Sequence, residues 1–156
     1  MKCPIDGVII KDLKVHRDSR GWLSELFRRD ELDQNHFPMM AYLSTTKPGV
    51  ARGPHEHKSQ TDLFCFLGLS EFQMFLWDNR KKFRSFKKTY QFKCRKSRPT
   101  LVIVPPGVVH AYKNIGKTDG LVFNAPNRLF KGRGRSKPVD EIRHEDDPES
   151  PFKLTD

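Results

Sequence analysis

The stretch GVARGPHEHKSQTDLFCFLG, residues 49–68, brings two histidines and an aspartate together with an apolar run. His55 and His57 are two residues apart, and on a β-strand such residues point to the same face. Asp62 follows a polar turn and starts the apolar run that ends at Gly68. The pattern predicts strands whose polar side chains converge on one interior.

Short β-rich runs, separated by glycine, proline or asparagine, dominate the middle of the chain. Their spacing predicts an all-β sandwich or barrel in one domain, residues 1–156. A helix is expected only as one or two turns near residues 28–35, RRDELDQN. Residues 131–156 are polar and rich in proline and charge, so we expect an irregular C-terminal tail that wraps the surface or reaches a partner subunit.

Cysteine content and hydropathy favour a cytoplasmic protein. Cys3, Cys65 and Cys94 form no CxxC pair, so neither a disulfide framework nor a zinc ribbon is expected. A reducing compartment is the default for such a chain. No apolar run approaches the ~18 residues of a membrane helix, so no membrane association is predicted.

The formal net charge of +10 comes from one segment. Ten lysines and arginines lie between Arg80 and Arg98, with no acidic residue among them, and the remaining basic residues equal the 19 acidic ones in number. Aromatic residues are interspersed there, as in a surface that binds nucleic acid. The favoured interpretation is a hairpin with aromatic rings facing inward and lysines facing water, which makes nucleic acid a low-ranked partner.

A second spaced block of turn residues and one histidine follows: Pro105, Gly107, His110 and Asn114. With residues 49–68, it resembles the paired signature of the cupin superfamily. That resemblance implies a small antiparallel β-barrel of the jelly-roll type. The chain departs from the signature at Asp62, where the usual acid is glutamate, and at Pro99, where the second block would begin with glycine.

The same residues allow a metal site. Strands meeting at a barrel wall could add Asp62 and His110 to His55 and His57. Three imidazoles and one carboxylate suit Zn, Mn, Fe or Ni, so the ligand types do not choose the metal. The alternative is that the histidines hydrogen-bond one another and water without metal.

Four segments in order, DSRGWLSELF, KPGVARGPHEH, VPPGVVHAY and EIRHEDDP, resemble the dTDP-4-dehydrorhamnose 3,5-epimerase family. The resemblance implies a metal-free cupin barrel that works as a homodimer without a cofactor. It also implies a nucleotide-diphosphate sugar as substrate, epimerised at carbons flanking the ketone of its 4-keto-6-deoxy sugar. Such a proton is acidic because the enolate places charge on oxygen, so the enzyme needs a base and an oxyanion-stabilising group.

The resemblance assigns roles to individual residues. His55 is the catalytic base, and Arg52 contacts the diphosphate or sugar, which suits a bidentate guanidinium. Arg20 and Glu25 of the RGxxxE element reach the nucleotide bound in the neighbouring subunit. His110 lies in the pocket near the substrate.

Structural alternatives stay open for three of these residues. Arg20 and Glu25 could form an exposed ion pair on an edge strand. His110 could be a core histidine satisfied by Asn114.

Three departures from the family pattern bear on activity. In the family, a tyrosine returns a proton to the opposite face of the sugar. Its position falls within GLVFNAP, where this chain has Phe123, and Tyr112 is the candidate replacement. The family's lysine on the strand after the base is replaced by acidic or apolar residues around Asp62. His57 stands where the family often has glutamine.

Three hypotheses follow from these patterns. The first is a sugar-nucleotide epimerase or ketoisomerase with His55 as base and Tyr112 as acid. The second is a metal-dependent cupin whose ion is held by four side chains: His55, His57, Asp62 and His110. The third is a binder of sugar nucleotides that performs no chemistry.

Overall fold

The computed structural model describes residues 2–155, and its regular structure is almost entirely β. All strand pairs are antiparallel, so the all-β prediction is confirmed. The strands are β1 (Ile9–Asp12), β2 (His16–Asp18), β3 (Gly21–Leu23), β4 (Tyr42–Thr46), β5 (Ala51–Glu56), β6 (Asp62–Phe66), β7 (Phe72–Asp78), β8 (Thr89–Cys94), β9 (Thr100–Val104), β10 (Val108–Asn114), β11 (Gly120–Asn124) and β12 (Ile142–Arg143).

Two five-stranded sheets form a flattened barrel, as the cupin resemblance implies. Sheet one has the order β1-β9-β6-β11-β4, and sheet two has the order β12-β5-β10-β7-β8. Side chains from both inner faces form the main core, which includes Phe64 and Phe66 of β6 together with Met74 and Tyr112 of sheet two. Each fully buried aromatic or aliphatic side chain of this kind stabilises the fold by about 1.5–3 kcal/mol.

A second core covers the outer face of sheet one. Leu63 and Cys65 alternate with the inward-facing residues of β6 and pack there with Leu26 and Leu32. All five residues of β6 are therefore buried, because both faces of this strand are covered. Phe123 packs against this outer core.

Short helical turns occur where the sequence predicted them. Two single turns of 3₁₀ helix, Arg29–Glu31 and Gln34–His36, fall within or beside residues 28–35. A third, Arg133–Arg135, lies in the tail. Among the described residues, no helix is long and apolar enough to cross a membrane.

The tail is less irregular than predicted. Its strand β12 pairs with β5, placing Ile142 opposite Glu56 and Arg143 opposite His55. The tail therefore extends sheet two directly beside the histidine-bearing strand.

The basic segment between Arg80 and Arg98 forms the β7–β8 connection and the edge strand β8. Phe92 and Cys94 face the core, as predicted for an inward-facing hairpin. Phe83 differs, because it is about half exposed and lies under the Arg80 guanidinium at 3.9 Å from the ring centroid.

Candidate active site

A cavity of about 1750 Å³ opens between the two sheets. His55, His57, Arg52, Tyr42 and Tyr112 line it together with residues of the tail. The structure thus brings most of the predicted site residues to one place, although they come from distant parts of the sequence.

The backbone around Gly53 brings His55 close to His110. Gly53 has a φ of +82°, and a Cβ atom there would lie only 2.5 Å from the carbonyl oxygen of His110. Only glycine allows so close a strand contact in this backbone conformation. His55 pairs with His110 across β5 and β10, and the centroids of their rings are 4.5 Å apart.

Asp62 is the centre of the polar cluster. Its Oδ2 atom lies 3.0 Å from His57 Nε2 and 3.3 Å from His110 Nε2. Its Oδ1 atom accepts hydrogen bonds from the amides of Gln60 and Asn124, each at 3.0 Å. The Asp62 and His110 side chains are each only 2% exposed, so this cluster lies well below the cavity surface.

Both histidine contacts with Asp62 use Nε2 because backbone carbonyls engage the other nitrogens. His110 Nδ1 lies 3.0 Å from the carbonyl oxygen of Val108, and His57 Nδ1 contacts that of Asp140. A carbonyl accepts only, so each Nδ1 carries the proton. When His57 also carries a proton on Nε2, that N–H donates to Asp62. His110 Nε2 is buried and has no aligned hydrogen-bond partner despite its 3.3 Å distance from Asp62.

Burial and the contacts within the cluster shift the pKa values of its side chains in different directions. Burial lowers the pKa of His55 to about 2, and the neighbouring His110 adds to this effect, so His55 is neutral. Burial opposes the charged form of His57, yet contact with Asp62 raises its pKa to about 8. Burial alone would raise the pKa of Asp62, but contacts with His110 and His57 hold it well below its usual range.

The C-terminal tail supplies two acidic residues to the site. The Asp140 carboxylate accepts the backbone N–H groups of Lys58, Ser59 and Gln60 at 2.9–3.0 Å. Glu141 Oε1 lies 3.7 Å from His55 Nδ1, which is buried without a hydrogen-bond partner. These contacts fix the loop after His57 and place a carboxylate beside His55.

The donor set fits a metal ion. One ligand atom from each of His55, His57, Asp62 and His110 lies within 4.8 Å of the others. Imidazole and carboxylate donors suit divalent ions of the first transition row. Contacts that orient the histidine rings from behind, like those to the Val108 and Asp140 carbonyls, are typical of metal sites.

Comparison with known proteins places the chain in a family. The family model described as dTDP-4-dehydrorhamnose 3,5-epimerase matches residues 2–132. The chain belongs to this family. The spore coat polysaccharide biosynthesis protein SpsL of Bacillus subtilis is 36% identical over 114 residues, covering 73% of this chain and 74% of that protein.

Two further similarities agree with this family. The probable low-salt glycan biosynthesis epimerase Agl13 of Haloferax volcanii is 32% identical over 128 residues, or 81% of each chain. A dTDP sugar isomerase from Desulfovibrio desulfuricans has the same fold, with a TM-score of 0.81, 22% identity, and coverage of 98% of this chain and 94% of that one.

The epimerase family's tyrosine is absent from the expected strand. Phe123 packs on the outer core and does not line the cavity, so it is not the cavity-facing counterpart of that tyrosine. The next residue, Asn124, faces inward and bonds Asp62. Directly opposite Asn124 on β4 is Tyr42, whose hydroxyl oxygen accepts a hydrogen bond from the Asn124 amide at 2.8 Å.

Tyr112 faces the interior, on the same side of β10 as His110, as predicted. Its ring contacts those of Phe64, Phe66 and Phe72 at centroid distances of 5.5–5.8 Å. Its hydroxyl lies 3.3 Å from Ser44 Oγ. Burial raises the pKa of Tyr112, so the hydroxyl stays protonated.

Arg52 lies at the cavity surface, where β4 orients it. Its guanidinium donates to Thr46 Oγ1 at 3.1 Å and to the Thr45 carbonyl at 2.8 Å. Three acidic residues line the cavity, against a larger basic set: Arg52, Lys58, Arg128, Lys131, Arg133, Arg135, Lys137 and Arg143. The opening therefore favours anionic ligands.

Arg20 and Glu25 do not line this cavity. Arg20 pairs with Asp18 at 2.6 Å, and Glu25 lies 3.4 Å from Arg28, so the alternative of an Arg20–Glu25 ion pair is wrong. The alternative for His110 holds in part: the side chain is buried and does not line the cavity, but Asn114 does not satisfy it, because the Asn114 side chain bonds Ser70 and the Thr46 and Thr118 carbonyls.

Sequence reasoning missed four contributors: Tyr42, Asn124, Asp140 and Glu141. The Tyr42–Asn124 pair was detectable in principle. Asp62 and Phe64 mark the inward-facing positions of their strand, and the alternation of side chains along the neighbouring strands then predicts which residues of those strands face inward. The tail segment EIRHEDDP, which begins at Glu141, belongs to the family resemblance, but the resemblance gave neither Asp140 nor Glu141 a role in the site.

Proposed function

We propose that this protein epimerises a nucleotide-linked 4-keto-6-deoxy sugar, with His55 as the base. The observation that carries the proposal is the position of His55 on the cavity wall, with Nδ1 facing the Glu141 carboxylate at 3.7 Å. Burial keeps the His55 ring neutral and therefore able to accept a proton, and the nearby Glu141 carboxylate is placed to offset the positive charge that then forms. Membership of the epimerase family supports the same chemistry.

The reaction needs a proton to leave one face of the sugar and another to arrive on the opposite face. His55 takes the proton from the carbon next to the ketone, and the C–H electrons move into an enolate. A second group then donates a proton to that carbon. A separate donor is required because His55 can return its proton only to the face from which it came.

Tyr42 is the donor in this proposal. It lies on β4 of sheet one, whereas His55 lies on β5 of sheet two, so the two residues line the cavity from opposite sheets. Asn124 donates to the Tyr42 oxygen, which leaves the hydroxyl hydrogen free for the substrate. Tyr112, the residue predicted from the sequence, lies on β10 beside β5, in the same sheet as His55.

Arg52 and the basic cavity surface bind the diphosphate. The two contacts of the guanidinium with β4 pre-orient it, which lowers the cost of ordering its side chain on binding. A forked guanidinium matches phosphate oxygens geometrically.

Turnover of a panel of 4-keto-6-deoxy sugars linked to dTDP, UDP or GDP tests the proposal. Proton NMR should show at least one member of the panel converted to an epimer. If calorimetry shows that members of the panel bind but none of them is converted, the protein is instead a sugar-nucleotide binder that performs no chemistry.

We also propose a homodimer in which the β2–β3 hairpin serves the neighbouring subunit. All six hairpin residues are exposed, and β2 and β3 form a two-stranded sheet separate from the barrel. Arg20, at the tip of this hairpin, has a side chain that is 87% exposed. On β4, an edge strand of sheet one, Leu43 faces away from the cavity and is also exposed, which offers a surface for a second copy.

Subunit complementation tests the shared site. Arg20→Ala and His55→Asn homodimers should each be impaired, Arg20→Ala in nucleotide affinity and His55→Asn in turnover. After random reassociation, half of the dimers are mixed and hold one intact site each, so activity should recover to about a quarter of wild type. No recovery in mixed dimers confirmed by mass spectrometry contradicts the shared site.

A cytoplasmic location belongs to the same proposal. Cys3, Cys65 and Cys94 are all free thiols in the structure. Unpaired thiols suit a reducing compartment.

A further inference from the structure

We propose that His57, Asp62 and His110 hold one divalent transition-metal ion beside the catalytic base. The inference deepens the proposed function, since it concerns the same cavity, but ion binding does not depend on turnover. It assigns a purpose to the two residues that depart from the family pattern, His57 and Asp62.

Both histidines direct Nε2 at one carboxylate oxygen. The distances to Asp62 Oδ2 are 3.0 Å from His57 and 3.3 Å from His110. Tetrahedral coordination with ligand distances of about 2.0–2.2 Å separates neighbouring ligand atoms by roughly 3.4 Å. Both contacts with Asp62 Oδ2 therefore come close to the separation of neighbouring ligand atoms around one ion.

The second oxygen of Asp62 is already fully engaged. Asp62 Oδ1 accepts from Gln60 Nε2 and Asn124 Nδ2, which leaves Oδ2 for the ion. Gln60 Nε2 also lies 3.2 Å from His57 Nε2, and the Asp140 carbonyl engages the other nitrogen of that ring. The surrounding amides thus fix which carboxylate oxygen and which ring nitrogen can coordinate.

The unpartnered nitrogen of His110 points to a missing ligand. His110 is 1% exposed, and its Nε2 has no aligned hydrogen-bond partner. A buried polar atom without a partner costs about 1–3 kcal/mol, so native structures seldom tolerate one. A cation between His110 and Asp62 removes this cost and also neutralises the buried carboxylate.

His55 stays outside the ligand set. Its nearest charged partner is Glu141, and no contact with Asp62 comparable to those of His57 and His110 orients it. An ion held by His57, Asp62 and His110 would place positive charge beside the cavity wall, where it would stabilise a developing enolate.

Metal analysis of the purified full chain tests the inference. Protein stripped with a chelator and then dialysed with Zn²⁺, Mn²⁺, Fe²⁺ or Ni²⁺ should retain one ion per chain, measured by elemental analysis. Co²⁺ should give the visible absorption of a site with nitrogen and oxygen ligands. Failure of the wild-type protein to retain any of these ions overturns the inference.

Variants identify the ligands. His57→Gln and Asp62→Asn should each weaken binding by at least roughly 100-fold, since even loss of an outer partner of a ligand costs 10–100-fold. His57→Gln, at the cavity edge, serves as the test if the buried Asp62 variant does not fold. The matched control is His144→Gln, which removes an imidazole bound to Glu56 on the other face of β5 and should leave affinity unchanged. Equal binding by wild type and His57→Gln contradicts the site.

A His55→Asn variant separates this inference from the proposed function. It should lose turnover and keep the ion. Loss of the ion to the same extent as in His57→Gln makes His55 a ligand and overturns the three-residue assignment. Ion binding without turnover by the wild-type protein would defeat the epimerase proposal and leave the metal site intact.

Discussion

Replacing His55 with asparagine should lower kcat by about a thousandfold, within the range typical for loss of a general base. Asparagine preserves much of the ring's volume and polarity but cannot accept the proton at neutral pH. Affinity for the nucleotide sugar should change little, because Arg52 and the basic cavity surface provide the anion contacts. Steady-state kinetics, with binding measured by calorimetry, checks both expectations.

The matched control for this prediction is His144→Gln. His144 donates to Glu56 on the opposite face of β5, and a glutamine amide can still donate there. This variant should keep nearly all activity. A His55→Asn protein with wild-type kcat on a converted substrate would remove His55 from the role of base.

Replacing Tyr42 with phenylalanine should reduce inversion by about a hundredfold, as expected for loss of a general acid. Proton removal by His55 remains possible, so solvent deuterium should still enter the sugar with retention of configuration. The measurement is the ratio of deuterium exchange to epimer formation, obtained by NMR in D₂O. This ratio should rise sharply in Tyr42→Phe.

The comparison variant is Tyr112→Phe, which removes the other hydroxyl of the cavity. Tyr112 lies in the same sheet as His55, and its ring is enclosed by Phe64, Phe66 and Phe72. Its loss should leave the ratio near the wild-type value. The reverse result, with the ratio raised only in Tyr112→Phe, would return the acid role to Tyr112.

The sequence contained enough information for the barrel and the centre of the site. Strand alternation predicted that His55 and His57 share a face, and spacing brought Asp62 and His110 to the same interior. All four donors indeed converge within 4.8 Å. These predictions succeeded because they depend on periodicity within strands and on the order of two local motifs.

Residue roles that depend on strand register were harder to predict. The family resemblance places the tyrosine position at Phe123, but Phe123 packs against the outer core. A shift of one residue along a strand moves a side chain to the other face of the sheet, so matching by sequence alone can select the wrong neighbour. Pairing of Tyr42 with Asn124 becomes visible only once β4 and β11 are aligned.

The tail could not be placed from the sequence, because its contacts are long-range. Asp140 binds the backbone of residues 58–60, about eighty positions earlier in the chain. Hydrophobic periodicity does not mark residues 140–141, and the segment EIRHEDDP, which begins at Glu141, resembles the family without assigning these residues to the site. The polar composition of the tail suggested an irregular surface segment. Instead, the tail provides the Glu141 carboxylate beside His55 and the Asp140 carbonyl beside His57.

Solvent deuterium incorporation tests the central claim most directly. The wild-type protein, in excess over a converted nucleotide-linked 4-keto-6-deoxy sugar in D₂O, should yield sugar labelled at a carbon next to the ketone, detected by mass spectrometry and located by NMR. His55→Asn should yield no label over the same time. Conversion of the sugar without label at either flanking carbon, or equal labelling by His55→Asn, would contradict proton abstraction by His55.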